Sequence, residues 1–132
     1  MQREARGWCQ LAALLLALAT MIGAIGAHAL KGRLSAERYD VLQTAVHYQF
    51  FHALGLLGLG LLLDRLPGRA LHAAGWLLFA GVLLFCGSLY LILAGAPRII
   101  GVLTPVGGLA LIGGWCTLAI ALRGRISAGH ND

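Results

Sequence analysis

Acidic side chains are scarce, with five Asp and Glu against ten Lys and Arg in 132 residues. Charge of either sign makes up only 11% of the chain, too little to clothe a soluble domain of this length. The ten cations are scattered at the ends of apolar runs and form no continuous basic face, which argues against nucleic acid as a partner. Cysteine is also sparse. Cys9, Cys86 and Cys116 are odd in number, far apart and contain no C-x-x-C pair, so neither a disulfide framework nor a zinc site is supported. Ser88 lacks a G-x-S-x-G context, and Glu37 and Asp40 have no partner at catalytic spacing. No catalytic residue, metal ligand or cofactor is assigned.

What the chain has instead is oil: 59% of its residues are hydrophobic. Four stretches, about 9–30, 43–63, 71–94 and 99–122, reach the roughly 17–25 apolar residues needed to cross a hydrocarbon core. The charges gather in the joints between them. Pro67 with Gly68, and Pro97 with Gly95, stop helices there. Connections this short force antiparallel neighbours. The expectation is an all-α integral membrane protein, with residues 1–132 forming one domain of four transmembrane helices in an antiparallel up-down bundle. No internal repeat relates the first two helices to the last two.

The N-terminus has the outline of a secretory signal, with Arg3 and Arg6, an apolar stretch, and Ala27-His28-Ala29 as an A-x-A site. The apolar segment continues to a charged loop, so the better reading is a signal anchor kept as helix one. Ser35 suits the N-cap of a helix starting at Ala36, and Leu34, Tyr39, Leu42 and Val46 would turn one side of it to the membrane interface. One end of the bundle carries Arg3, Arg6, Arg65, Arg69, Arg123 and Arg125, the other Lys31, Arg33, Arg38 and Arg98. The positive-inside rule then puts both termini in the cytoplasm.

Glycine occurs 19 times, although in a soluble helix it costs roughly 1 kcal/mol relative to alanine. In lipid a small residue lets helices approach. Ala19, Gly23 and Ala27 form a stripe at four-residue spacing on helix one, and Ala110 with Gly114 repeats the spacing on helix four.

The polar exceptions carry the functional question. The stretch TAVHYQFFHALGLL, from Thr44 to Leu57, puts His47, Tyr48, Gln49 and His52 at the mouth of helix two. At 1.5 Å per residue from Gln43, His47 lies about 6 Å down the axis and His52 about 13 Å. Tyr48 and Gln49 stand four and three residues before His52, a spacing expected to bring all three to one inward face. His28, Ser88, Tyr90 and Thr104 fall in the same half of the bundle, nearest loops one and three. These seven residues form the candidate polar cluster, with His52 expected to bond Ser88, Thr104 or His28 on another helix. Trp8, Trp76 and Trp115 read as interface anchors, as does Tyr90 more simply.

The segments GAIGAHALKG, YQFFHALGLLG, LFCGSLYLILAG and TPVGGLALIGGW, in this order, resemble the domain of unknown function 423 family, the YgdD-like small integral membrane proteins. The family pattern G-A-H falls on Gly26 to His28, Y-Q-x-x-H on Tyr48, Gln49 and His52, G-S-L-Y on Gly87 to Tyr90, and T-P-x-G-G on Thr104 to Gly108. His47 lies where the pattern is open. The resemblance implies a four-helix protein of the bacterial inner membrane without an established activity.

Two function classes follow. One is a non-catalytic bundle in the lipid bilayer that self-associates as a homo-oligomer or joins a membrane-protein partner. The alternative is a small carrier or channel component that moves a proton or small solute through the polar cluster, since histidine changes charge near neutral pH. A haem- or copper-binding protein is the weakest reading, because His28 and His52 differ in depth and C-x-x-C-H is absent.

Overall fold

The computed structural model describes residues 1–128, with side chains to Gly124. Helix α1 spans Arg3–Ile25 and runs on through a π turn at Gly26–Leu30; α2 spans Ala36–Arg65, α3 Arg69–Leu93, and α4 Leu103–Ala128 after a 3-10 turn at Arg98–Val102. Each helical stretch is long and apolar enough to cross a membrane. The 30 residues of α2 extend about 45 Å, beyond a hydrocarbon core of about 30 Å.

The ends of these helices are written in their local chemistry. Ser35 has extended backbone and its Oγ accepts the Arg38 N–H at 3.3 Å, the N-cap expected for a helix beginning at Ala36. At the end of α3 the Gly95 N–H donates to the Ile92 carbonyl and the Ala96 N–H to that of Leu91. Gly95 has φ +101°, so this is a Schellman cap with glycine where an L side chain would be strained. Arg38 finishes the job, its Nη2 donating to the Leu93 carbonyl at 2.6 Å. The start of α1 has no side-chain cap of its own, and the Gln2 N–H donates instead to Asp64 at the end of α2, at 2.7 Å.

Consecutive helices pack on one another: α1 on α2, α2 on α3 and α3 on α4. Of the four, α2 is the most enclosed and α4 the most open. The terminal half of the core is apolar, built from Ala5, Trp8, Leu59, Leu63, Leu71 and Ala74. Trp8 is buried rather than an interface anchor, because Gly75 leaves room for its indole against α3. Leu42 and Val46 are likewise buried, with Leu42 beside Gly26 and Val46 beside Gly23. The expectation that they lie on the membrane interface is thereby corrected: α2 joins the bundle within two turns of its start.

The α3–α4 seam is the tightest. A Cβ on Gly107 would fall on the Phe85 backbone, one on Gly114 would lie 2.8 Å from Leu78, and one on Gly81 2.6 Å from Leu111. Among the expected packing residues, Ala19 is buried, Gly23 is half-buried and faces Val46, Ala110 is half-buried and Gly114 is buried. Ala27 is exposed. The π turn explains that exception, because its wider winding breaks the four-residue stripe after Gly26.

Candidate functional site

Gln49 is the polar centre of the bundle. It is only 2% exposed, and its amide ties three helices together. Nε2 donates to the Leu15 carbonyl of α1 at 2.8 Å, and Oε1 accepts the Tyr90 hydroxyl of α3 at 2.7 Å. A carbonyl has two lone pairs, so Leu15 can accept this bond beside its helical one. Ala45 and Ala53, four residues before and after Gln49, are both fully buried and keep α2 slim where the amide enters.

A second tie joins α3 to α4. The Ser88 hydroxyl donates to the Phe85 carbonyl of its own helix at 2.9 Å. With that hydrogen engaged, the contact of 2.6 Å between Ser88 Oγ and Thr104 Oγ1 is read with Thr104 donating. No hydrogen bond links this pair to Gln49 and Tyr90 among the described residues.

His52 behaves otherwise. Its Nδ1 lies 2.7 Å from the Tyr48 carbonyl, which only accepts, so Nδ1 carries the hydrogen and this bond stays within α2. The ring stacks on Tyr48 at 5.6 Å and tilts against Trp115 at 5.9 Å, while Tyr48 stacks on Phe85 at 4.3 Å. These rings line a hollow of about 480 Å³ between α2 and α4. The bond expected from His52 to another helix is therefore not made. Helical winding gives the reason: residues 48 and 52 share a face, but residue 49 is turned about 100° away from 48. Gln49 takes the inward direction, leaving Tyr48 40% exposed and His52 half-buried. His28 is exposed on the π turn and His47 is exposed on α2, and neither joins the cluster.

Sequence reasoning missed a contact at the terminal end. His72 Nε2 lies 2.9 Å from Glu4, and its Nδ1 accepts a long bond of 3.5 Å from the Trp8 indole. With hydrogen on Nε2 the ring donates to Glu4, and the pairing fastens the start of α1 to the start of α3. No local signal pointed to it, since Glu4 and His72 are distant in the chain. Among the described residues, no three His, Cys, Asp or Glu side chains converge as a metal site would need.

Membrane-length helices joined by short turns, with polar side chains tied across their interior, define a polytopic membrane protein of the four-helix class. Residues 22–108 match the family described as "Protein of unknown function (DUF423)", and the chain belongs to that family. All seven residues of the candidate cluster lie within the matched segment. The UPF0382 membrane protein YwdK of Bacillus subtilis is 43% identical over 105 residues, covering 79% of this chain and 85% of its own. The UPF0382 membrane protein SH2409 of Staphylococcus haemolyticus is 45% identical over 112 residues, covering 82% and 91%. No solved structure matches the chain.

Proposed function

We propose that this protein is a non-catalytic assembly module of the bacterial inner membrane, a single four-helix domain with both termini in the cytoplasm. It associates with further copies of itself or with a larger membrane complex. The observation that carries the reading is the engagement of the buried polar groups. Gln49 and Tyr90 hold each other, Ser88 and Thr104 hold each other, and no buried side-chain nitrogen or oxygen lacks a partner among the described residues. A carrier needs polar groups free to exchange partners with a solute; these are committed to holding helices. Association is supported by His52, whose ring lines the hollow between α2 and α4 and makes no hydrogen bond to another helix among the described residues. In hydrocarbon a polar ring of that kind gains from a hydrogen-bonding partner, which a further protein surface can supply.

The test is to count fluorescently tagged copies by stepwise bleaching in patches of native membrane. Two or more copies per patch, or a stoichiometric membrane partner, is the expected result. Solitary copies that conduct protons when placed in liposomes would replace this reading with the carrier. Orientation is tested separately in a cysteine-free background: Ser35→Cys reacts with an impermeant thiol reagent from outside and Ser127→Cys does not.

A further inference from the structure

Where the first turns of α2 meet the end of α3 and the 3-10 turn before α4, a hollow of about 530 Å³ opens, lined by Ser35, Glu37, Arg38, Val41, Leu93 and Arg98 among others. Glu37 and Val41 also line an adjoining hollow of about 270 Å³, which continues along α2 to Thr44 and along α3 to Leu89. Leu89 lies one turn deeper than Leu93, so the cleft has a charged mouth and an apolar recess.

We propose that this cleft binds one phospholipid with a zwitterionic, amine-bearing headgroup, such as phosphatidylethanolamine. Arg38 and Arg98 hold the phosphate, Glu37 takes the ammonium, and an acyl chain lies along Val41 and Leu89. Arg38 is fixed by its bond to the Leu93 carbonyl, which engages one of its donors and leaves the rest of the guanidinium fork in place for an anion. Arg98, Glu37 and Asp40 make no side-chain hydrogen bond or ion pair within the chain among the described residues, so their charges are available. Leu91 and Ile99, next in sequence to the lining residues Ile92 and Arg98, are exposed by 51% and 72%, and apolar exposure beside the charge of Arg98 suits a mouth at headgroup depth. Charge complementarity selects the lipid. An anionic headgroup meets the carboxylates of Glu37 and Asp40, whereas an ammonium gains from them. A choline headgroup has no N–H to donate to Glu37 and binds less well.

The experiment is native mass spectrometry of the full-length, delipidated protein offered equimolar phosphatidylethanolamine, phosphatidylcholine and phosphatidylglycerol, with inorganic phosphate as a separate arm. The ethanolamine lipid is expected to dominate the bound fraction. Arg98→Gln is expected to lower its binding about tenfold, the loss of one charge-assisted contact, with helix content and elution volume unchanged. Glu37→Gln is expected to reduce the ethanolamine lipid to the level of the choline lipid. Should Arg98→Gln fail to fold, Glu37→Gln, on the exposed first turn of α2, still decides the matter. Equal binding of all three lipids, or indifference to both substitutions, overturns the proposal. Displacement of the lipid by millimolar phosphate also overturns it, in favour of a site for the free anion.

Discussion

The two halves of the bundle are held by different physics. Toward the termini, Leu59, Leu63, Leu71 and Ala74 interlock around Trp8, and polar contacts such as Glu4–His72 and Gln2–Asp64 stay at the rim. Toward loops one and three the polar contacts sink inward, with Gln49 in the middle of three helices and Ser88 against Thr104. The difference shows what each half can rely on in lipid. Apolar surfaces gain nothing from avoiding a solvent as oily as themselves, so the terminal half depends on shape, while the other half adds bonds that fix direction and register. Along the α3–α4 seam the two are combined, glycine letting the backbones meet where Phe85 faces Gly107.

The comparison can be broken most severely at that seam. Gly107→Val forces a side chain onto the Phe85 backbone and is expected to cost about 3 kcal/mol, the upper part of the usual range for overpacking, read as unfolding at lower SDS in mixed micelles. Next comes Leu59→Ala in the terminal half, expected to cost about 2 kcal/mol through lost packing, the low end for such truncations because transfer from lipid adds little. Gln49→Leu is expected to cost about 1 kcal/mol, and a double-mutant cycle with Tyr90→Phe should give a coupling of about 0.6 kcal/mol. A larger loss for Gln49→Leu than for Leu59→Ala would mean that hydrogen bonds, not shape, dominate both halves. The smallest effects are expected from His52→Leu and His47→Leu, each within about 0.5 kcal/mol in the isolated bundle, since neither ring bonds another helix. His52→Leu should instead lower the number of copies counted together in native membrane. A His52→Leu variant as unstable as Gln49→Leu would return that ring to the interior of the bundle.

Much of the architecture was legible because it follows from local rules. Four apolar runs of spanning length, Ser35 as a cap, and Gly95 followed by Pro97 as a stop are each decided within a few residues of chain. The candidate site was legible in part. The half of the bundle that holds the polar ties could be read from the depths of Gln49, Ser88, Tyr90 and Thr104. The choice of Gln49 over His52 as the inward group could not, because spacing tells which residues share a face but not which face the neighbouring helices cover.

The sequence by itself determined that this is a membrane protein with four helices long and apolar enough to cross, and where helix ends such as Ser35 and Gly95 fall, since hydropathy and caps act over short stretches of chain. Only the tertiary structure decided the rotation of each helix about its axis. That rotation buried Trp8 under Gly75, turned Gln49 toward Leu15 and Tyr90, moved Ala27 outward past the π turn, and set Glu4 beside His72. Apart from Ala27, which follows the local π winding, each of these is a contact between residues far apart in the chain, settled by which backbones can come close enough to share a hydrogen bond or a van der Waals surface.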